Sequence, residues 1–280
     1  MSDQTDQTPG SRSGVSGAEE PARAPGKSGR TGKAGKTRKP RKDPLPVWQE
    51  SILLLAVALV LAVVVKAFFV QAFYIPSESM EPGLVENDRI LVQKVSYWGG
   101  GEPQRGDVVV FKDPGSWLSA ADKAGPTNLL TTVMSKVGLY PTGGHLVKRV
   151  VGVGGDVIEC CDEKGRLKVN GVPVTEDAYV KTDDAAECRG PMPGGDRRCN
   201  WKAGPVPEGY VFVMGDNRAN SADSSFHMCN PKTSAVECTQ GEEYVPVDLV
   251  VGKVFVLLWP KDHFGWIKRP DAFDDVPDGS

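Results

Sequence analysis

The hydrophobic pattern of the chain is dominated by one long apolar run near its N-terminus. The run starts at Ser51, reads "SILLLAVALVLAVVVKAFFVQAF", and contains fourteen consecutive apolar residues from Ile52 to Val65. About twenty such residues span the hydrocarbon core of a bilayer, and a helix packed in a soluble core normally keeps a polar face. A cleaved secretory signal would need a shorter apolar region and a small-residue cleavage site, which "KAFFVQAFYIP" matches poorly. We therefore predict a retained transmembrane helix over residues 48–73.

After this run, short apolar segments alternate with Gly, Pro, Asn and Asp about every ten residues, a pattern typical of β-structure. The Asn170-Gly171 pair in "VNGVPV" predicts a tight hairpin. The last apolar run, "VFVLLW", is too short to cross a membrane again and is predicted to be a buried strand. The predicted strands are "DRILVQKVS", "GDVVVFKDP", "LVKRVVGVGGDVIEC", "RLKVNGVPV", "GYVFVMGD" and "VGKVFVLLWP".

Three irregular insertions interrupt these strands, at about residues 115–144, 182–207 and 224–244. The first contains the one predicted helix of this part, Asn128–Leu139 in "NLLTTVMSKVGL". The predicted fold class is therefore an all-β ectodomain with irregular insertions on a single N-terminal transmembrane helix.

Charge separates the two ends of the chain. Residues 1–47 contain ten Lys/Arg and five Asp/Glu and no aromatic residue, whereas the remainder has 23 Lys/Arg and 31 Asp/Glu. The basic segment is too polar to form a core, so we predict a disordered tail, and basic residues before a membrane helix favour the cytoplasmic side. We predict no nucleic-acid binding, because no folded basic surface or aromatic platform accompanies the tail. The expected arrangement is a single-pass protein of the cell membrane, with an extracytoplasmic domain over residues 74–270 and an acidic tail over residues 271–280.

All six cysteines follow the predicted membrane helix, as expected for disulfides in an oxidising compartment. No Cys-x-x-Cys pair suggests a zinc site, the three histidines are scattered, and we predict neither a metal nor a cofactor. Two local pairings would each close a turn-rich loop, Cys188 with Cys199 and Cys229 with Cys238. The adjacent Cys160 and Cys161 would point to opposite faces of a strand, so they are left unassigned.

Candidate chemistry begins where the apolar run ends, at "PSESM". Its two serines, Ser77 and Ser79, could place one attacking hydroxyl beside a second that donates to a developing oxyanion. A serine nucleophile needs a base, and a buried lysine can serve because desolvation favours its neutral form. Lys148 lies in the apolar strand-like run "HLVKRVVGVGG" and is the candidate.

Each of these features also has an ordinary structural explanation. The serines could simply form a turn, and Lys148 could lie on an amphipathic edge strand. The polar segment "MGDNRANSADSS", Met214–Ser225, could be a solvated hairpin tip or an irregular loop fixed by side-chain hydrogen bonds. The residues alone do not decide between these structural explanations and a catalytic role.

Taken in order, five segments resemble the bacterial type I signal peptidases, a family of Ser/Lys serine endopeptidases. They are "FYIPSESMEPGL", "DRILVQK", "RGDVVVFKDP", "VKRVVGVGGD" and "GDNRANSADS", and "GKVFVLLWP" resembles the family's last core strand. The resemblance implies that Ser79 is the nucleophile, Lys148 the general base and Ser77 an oxyanion donor. It further implies that Ser221 orients the lysine and that Asp223 supports the same loop.

The resemblance also implies the partners, namely the signal peptides of exported preproteins with small residues one and three positions before the cut, presented at the lipid bilayer. Ile75, Pro76 and Met80 flank the serines and are the candidates for substrate contact. One departure concerns Ser225, because the family often has an arginine there that pairs with the residue equivalent to Asp223.

Two rival functions are weighed against this one. Another Ser/Lys peptidase of the same fold, such as a self-cleaving repressor, would act in the cytoplasm beside a DNA-binding domain, which the membrane helix argues against. A catalytically inactive, membrane-tethered binding module would be indicated by loss of Ser79 or Lys148, and both residues are present.

Overall fold

The structure is a computed structural model, and it describes residues 46–115, 117–119, 128, 132, 143–181, 201–228 and 240–279. It contains one long helix, several 3-10 turns, and strands in two sheets. The helix and strands are α1 (Val47–Phe68), β1 (Val70–Tyr74), β2 (Arg89–Gln93), β3 (Val108–Lys112), β4 (His145–Gly152), β5 (Ile158–Cys160), β6 (Lys168–Val169), β7 (Val172–Pro173), β8 (Trp201–Ala203), β9 (Tyr210–Met214), β10 (Val245–Pro246), β11 (Val250–Trp259) and β12 (Gly265–Trp266).

Helix α1 is shorter than predicted. Its stretch Val47–Val65 has a mean hydropathy of 2.3, so the helix is long and apolar enough to cross a membrane. The helix ends at Phe68, whereas the sequence predicted an end at residue 73. The difference arises because Val70–Tyr74 form β1, whose five residues pair antiparallel with β2, so sheet hydrogen bonds replace helical ones here.

The larger sheet has eight strands in the order β1-β2-β11-β3-β4-β9-β10, with β12 paired to β11. All of its pairings are antiparallel. Strand β4 lies between β3 and β9, so the residues on it are enclosed by neighbours on both sides. Its last five residues are all buried, which is expected where both faces of a strand are covered.

The smaller sheet has four strands in the order β7-β6-β5-β8. Its hairpin joins β6 to β7 at the predicted pair, and Asn170 and Gly171 have φ angles of 51° and 81°. Positive φ at both central residues is the conformation for which Asn-Gly is selected. The all-β prediction is therefore confirmed, and each segment predicted as a strand contains at least one.

The C-terminal segment packs against the smaller sheet and is not a free acidic tail. Phe273 and Val276 are buried in the same hydrophobic cluster as strands of that sheet. The Arg105 guanidinium donates to the carbonyl oxygens of Val276 and Pro277 and also pairs with the buried Asp156. The prediction of an acidic tail rested on the aspartates of this segment, whereas its contacts are made by the apolar side chains of Phe273 and Val276 and by backbone carbonyls.

Several predictions fall partly or wholly outside the described residues. The helix predicted over Asn128–Leu139 lies outside them apart from Asn128 and Thr132. The four cysteines of the two predicted pairs also lie outside, so those pairings stay predictions that peptide mapping without reductant would test. In the described part of the chain, a disulfide joins the adjacent Cys160 and Cys161. Cys161 follows the last residue of β5, so the opposite-face argument for two residues within one strand does not apply.

Candidate active site

The two candidate serines lie at a short 3-10 turn after β1, Ser79 within it and Ser77 just before it. This 3-10 helix comprises Glu78–Met80, and Ser77 precedes it with an extended backbone. Ile75 and Met80 anchor the turn, because both side chains are buried in a hydrophobic cluster with residues of β2, β3 and β11. Their burial leaves these two side chains little surface for the substrate contact expected of them, whereas Pro76 is exposed.

Lys148 reaches the turn from the interior strand β4. Its side chain is buried, and its Nζ donates a hydrogen bond of 2.6 Å to the Oγ of Ser79. Ser79 itself is only 8% exposed. The edge-strand alternative for Lys148 is wrong, because β4 is paired along both edges, and in this register Lys148 lies opposite Val109 of β3.

Burial changes the acid–base behaviour of this lysine. Desolvation lowers the pKa of Lys148 from its ordinary value of 10.5 to about 8, although the nearby carboxylates of Asp223 and Asp216 act in the opposite direction. Removing the ammonium from water disfavours the charged form, and here that effect exceeds the attraction to the two carboxylates. About a tenth of the amine is therefore neutral at pH 7.

Ser77 lies on the solvent side of the same turn. Its Oγ is 3.2 Å from the Oγ of Ser79, and Ser77 is exposed. The first N–H groups of a helix have no acceptor within it, so the amide of Ser79 is also a donor at the start of this turn. Two donors, the Ser77 hydroxyl and the Ser79 amide, thus flank the Ser79 hydroxyl.

Asp223 organises the loop that follows β9 and is fully buried. One of its carboxylate oxygens accepts from the Gly215 amide and the Ser221 hydroxyl, and the other accepts from the amide and hydroxyl of Ser225. Ser225 therefore supplies two donors at the position where an arginine partner was expected. Within the described residues, the Ser221 hydroxyl donates to Asp223 and not to Lys148.

Two buried ion pairs behind the site were not singled out from the sequence. Arg149 donates to both carboxylate oxygens of Asp216, from Nε and from Nη2, and its guanidinium lies 4.3 Å from the ring centroid of Tyr179. Arg218 donates to both carboxylate oxygens of Glu176 from its two terminal nitrogens, Nη1 and Nη2. The sequence did hold a clue to these ion pairs, because three of the four charged residues lie in the segments quoted above. Arg149 follows Lys148, and both Asp216 and Arg218 lie in "GDNR".

The chain also matches known proteins over most of this region. The family model described as "Signal peptidase, peptidase S26" matches residues 48–259. A probable signal peptidase I of Mycobacterium leprae (strain TN) is 37% identical over 238 residues, covering 79% of this chain and 78% of that protein. The chain belongs to the signal peptidase family, peptidase S26. The signal peptidase I of Mycobacterium tuberculosis (strain ATCC 25618 / H37Rv) is 36% identical over 230 residues, covering 79% of this chain and 75% of that protein.

Among solved structures, a signal peptidase I from Enterococcus faecalis V583 is 21% identical, covers 54% of this chain and 96% of that chain, and has a TM-score of 0.26. The peptidase S26 match includes the serine turn, β4 and the Asp223 loop, so all of the residues brought together above lie inside it. In the described part of the chain, no group of three or more His, Cys, Asp or Glu side chains could hold a metal. The reactive groups of the site are the Ser79 hydroxyl and the buried Lys148 amine, with hydrogen-bond donors nearby.

Proposed function

We propose that this chain is a membrane-anchored serine endopeptidase that removes N-terminal signal peptides from exported preproteins, with Ser79 as nucleophile and Lys148 as general base. The observation that carries the proposal is the 2.6 Å contact between the buried Lys148 amine and the Ser79 hydroxyl within a peptidase-family match. No histidine is needed for this chemistry, since a neutral amine can accept the proton of a serine.

In the acylation step, neutral Lys148 takes the proton of the Ser79 hydroxyl as Oγ bonds to the scissile carbonyl carbon. The carbonyl π electrons move to oxygen, where the Ser77 hydroxyl and the Ser79 amide donate to the oxyanion. When the tetrahedral intermediate collapses, the C–N bond breaks, and Lys148 returns the proton to the departing amine of the mature protein. The signal peptide is left as an ester on Ser79.

In the deacylation step, water attacks the ester carbonyl while Lys148 again accepts a proton. The second collapse breaks the bond to Ser79 Oγ, which regains its proton from Lys148 and releases the signal peptide with a free carboxylate. The charge of Asp223 favours the transient ammonium in both steps, because an opposite charge stabilises the protonated lysine. We assign Ser221 to holding Asp223, and through it the loop, since its hydroxyl donates to that carboxylate.

The place of the site along the chain supports a membrane-held substrate. Nine residues, which include strand β1, separate the end of the apolar helix at Phe68 from the serine turn at Glu78–Met80. A signal peptide anchored in the same bilayer would present its cut site close to that boundary. An extended peptide would direct the side chains one and three positions before the cut to one face, which accounts for paired small residues there. The exposed Pro76 is the remaining candidate for substrate contact.

The proposed topology follows from charge. The ten basic residues before α1 favour a cytoplasmic N-terminus, which places the β domain on the outer face of the cell membrane. An oxidising environment on that side agrees with a chain whose cysteines all follow the helix.

The test is cleavage of a preprotein by the full-length, detergent-solubilised protein, with the new N-terminus read by mass spectrometry. We expect one cut after a small residue at the end of the signal peptide. Ser79→Ala is expected to leave the preprotein intact, and Ser51→Ala, a change of an exposed serine on α1, is the control for loss of a hydroxyl. A preprotein that stays intact with correctly folded wild-type protein, or equal cutting by Ser79→Ala, would overturn the proposal.

A further inference from the structure

The loop after β9 grips the serine turn at two consecutive carbonyl groups, and one residue makes both contacts. The backbone amide of Asn217 donates to the carbonyl oxygen of Ser79 over 3.1 Å. The side-chain Nδ2 of Asn217 donates to the carbonyl oxygen of Glu78, also over 3.1 Å. Asn217 is 3% exposed, and its side-chain hydrogen bond to Glu78 is partly buried.

The second contact bears on the site through the geometry of one peptide unit. The carbonyl of Glu78 and the amide N–H of Ser79 belong to the same planar group, in which C=O and N–H point in opposite directions. A donor that fixes the direction of the Glu78 carbonyl therefore fixes the direction of the Ser79 N–H. A carbonyl that accepts a hydrogen bond also makes the amide at the other end of its peptide group a stronger donor.

Resting on the proposed function, we propose that Asn217 is a positioning residue for the oxyanion hole. Its carboxamide holds the Glu78–Ser79 peptide plane so that the Ser79 amide faces the oxygen of the tetrahedral intermediate. Asn217 touches neither the substrate nor the dyad side chains in this role. It acts through the backbone of the nucleophile.

The surroundings of Asn217 are fixed from both sides, as a positioning role requires. Its neighbour Asp216 accepts from the backbone amide of Lys181 and is held by Arg149, and the amide of Arg218 donates to the Lys181 carbonyl. On the other side, a Cβ built on Gly215 would come within 2.4 Å of the Ser79 carbonyl oxygen. The loop is thus packed directly against the turn, and Asn217 has little freedom to move away.

The same loop provides a matched control. Asn220 also donates from its side-chain amide to Glu78, but to the Oε2 of the exposed carboxylate and over 3.3 Å. This contact leaves the peptide plane untouched. Asn220→Ala therefore removes an asparagine amide from the same loop without the proposed effect.

The first measurement is steady-state cleavage by the full-length protein. Loss of an oxyanion donor outright costs about 10²–10³ in turnover, and the amide of Glu81 still donates to the Glu78 carbonyl after Asn217 is changed, so we expect a smaller loss. Asn217→Ala should lower kcat by about tenfold to a hundredfold with KM nearly unchanged, while Asn220→Ala stays at the wild-type rate. Asn217→Leu keeps the approximate size of the side chain and removes the donor without adding a charge, so it should lose about as much, even if the alanine variant folds poorly.

The second measurement separates positioning from general damage. A substrate-like peptide boronate forms a tetrahedral, negatively charged adduct on a serine, whereas the same peptide ending in a carboxamide binds without one. For Asn217→Ala or Asn217→Leu, boronate affinity should fall by about the same factor as kcat, with carboxamide affinity and melting temperature held. Wild-type kcat in both variants, or an equal loss of boronate and carboxamide binding, would overturn the inference. Failure of the proposed function has a different signature, since Ser79→Ala would then cut as fast as the wild type.

Discussion

The most quantitative prediction concerns the pH dependence of cleavage, which the burial of Lys148 sets. The base must be neutral, and its pKa of about 8 is well below the ordinary 10.5. At pH 7 a group of pKa 8 is roughly 10% neutral, whereas one of pKa 10.5 is only about 0.03% neutral. Burial therefore increases the reactive fraction of this amine by about 300-fold at neutral pH.

The assay is kcat/KM for preprotein cleavage from pH 6 to pH 9.5. We expect a tenfold rise per pH unit on the acidic side and a plateau above about pH 8, because only the free enzyme's neutral lysine is competent. Lys148→Arg should be inactive at every pH, since guanidinium stays protonated. Lys112→Arg is the matched control, because this exposed lysine lies on the neighbouring strand β3. A flat profile down to pH 6, or near-normal turnover by Lys148→Arg, would refute the reasoning.

The same burial has a stability signature with a defined sign. The folded-state pKa of Lys148 is lower than the unfolded value, so between about pH 8 and 10.5 the unfolded chain binds more protons. The contribution to folding stability is therefore complete above pH 10.5 and is lost as the pH falls to about 8, by on the order of 3 kcal/mol. Lys148→Met should lack this pH-dependent component, so the difference in unfolding free energy between the two proteins should change across that window. A constant difference would contradict the buried-amine account.

Three further predictions concern other parts of the molecule. Ser77→Ala should remain folded and bind substrate normally but cut at least about a hundredfold more slowly, because it removes an oxyanion donor; earlier melting with normal turnover would instead indicate a turn-former. Gly215→Ala should greatly reduce turnover, because the new Cβ would lie 2.3 Å from the Ser221 Oγ and 2.4 Å from the Ser79 carbonyl oxygen and must displace these site residues, and unchanged kcat would argue against these close contacts. Phe273→Ala should lower the free energy of unfolding by about 3–5 kcal/mol in a denaturant titration, whereas a free acidic tail would tolerate it.

The all-β fold could be predicted from the sequence because its main strands are short apolar runs between turn residues. The long interior strands β4 and β11 stand out in this way, and the Asn170-Gly171 hairpin is specified by two residues that favour positive φ. Strand β1 could not be separated from the helix before it, because Val70–Tyr74 continue the apolar run. Only its pairing with β2, a contact between distant segments, shows where the helix ends.

The site was predictable in its residue types and less so in its contacts. The order of the motifs along the chain identifies Ser79 and Lys148. The contact between their side chains depends on how the serine turn packs against β4, which the sequence does not show. The partners of Asp223 could not be predicted either. The sequence shows that the expected arginine is missing, but not that the amide and the hydroxyl of Ser225 both donate to Asp223. Asn217 carried no signal beyond a polar turn residue, since its contacts are with backbone carbonyls, which have no sequence signature.

The most direct test of the central claim is to locate the covalent intermediate. Full-length protein in excess over a preprotein is quenched in acid within the first turnover, digested, and mapped by mass spectrometry. The Ser79/Lys148 mechanism predicts the signal peptide as an ester on the peptide that contains Ser79, with no ester and no cleavage in Ser79→Ala. An ester on any other residue, or complete cleavage by Ser79→Ala, would contradict it.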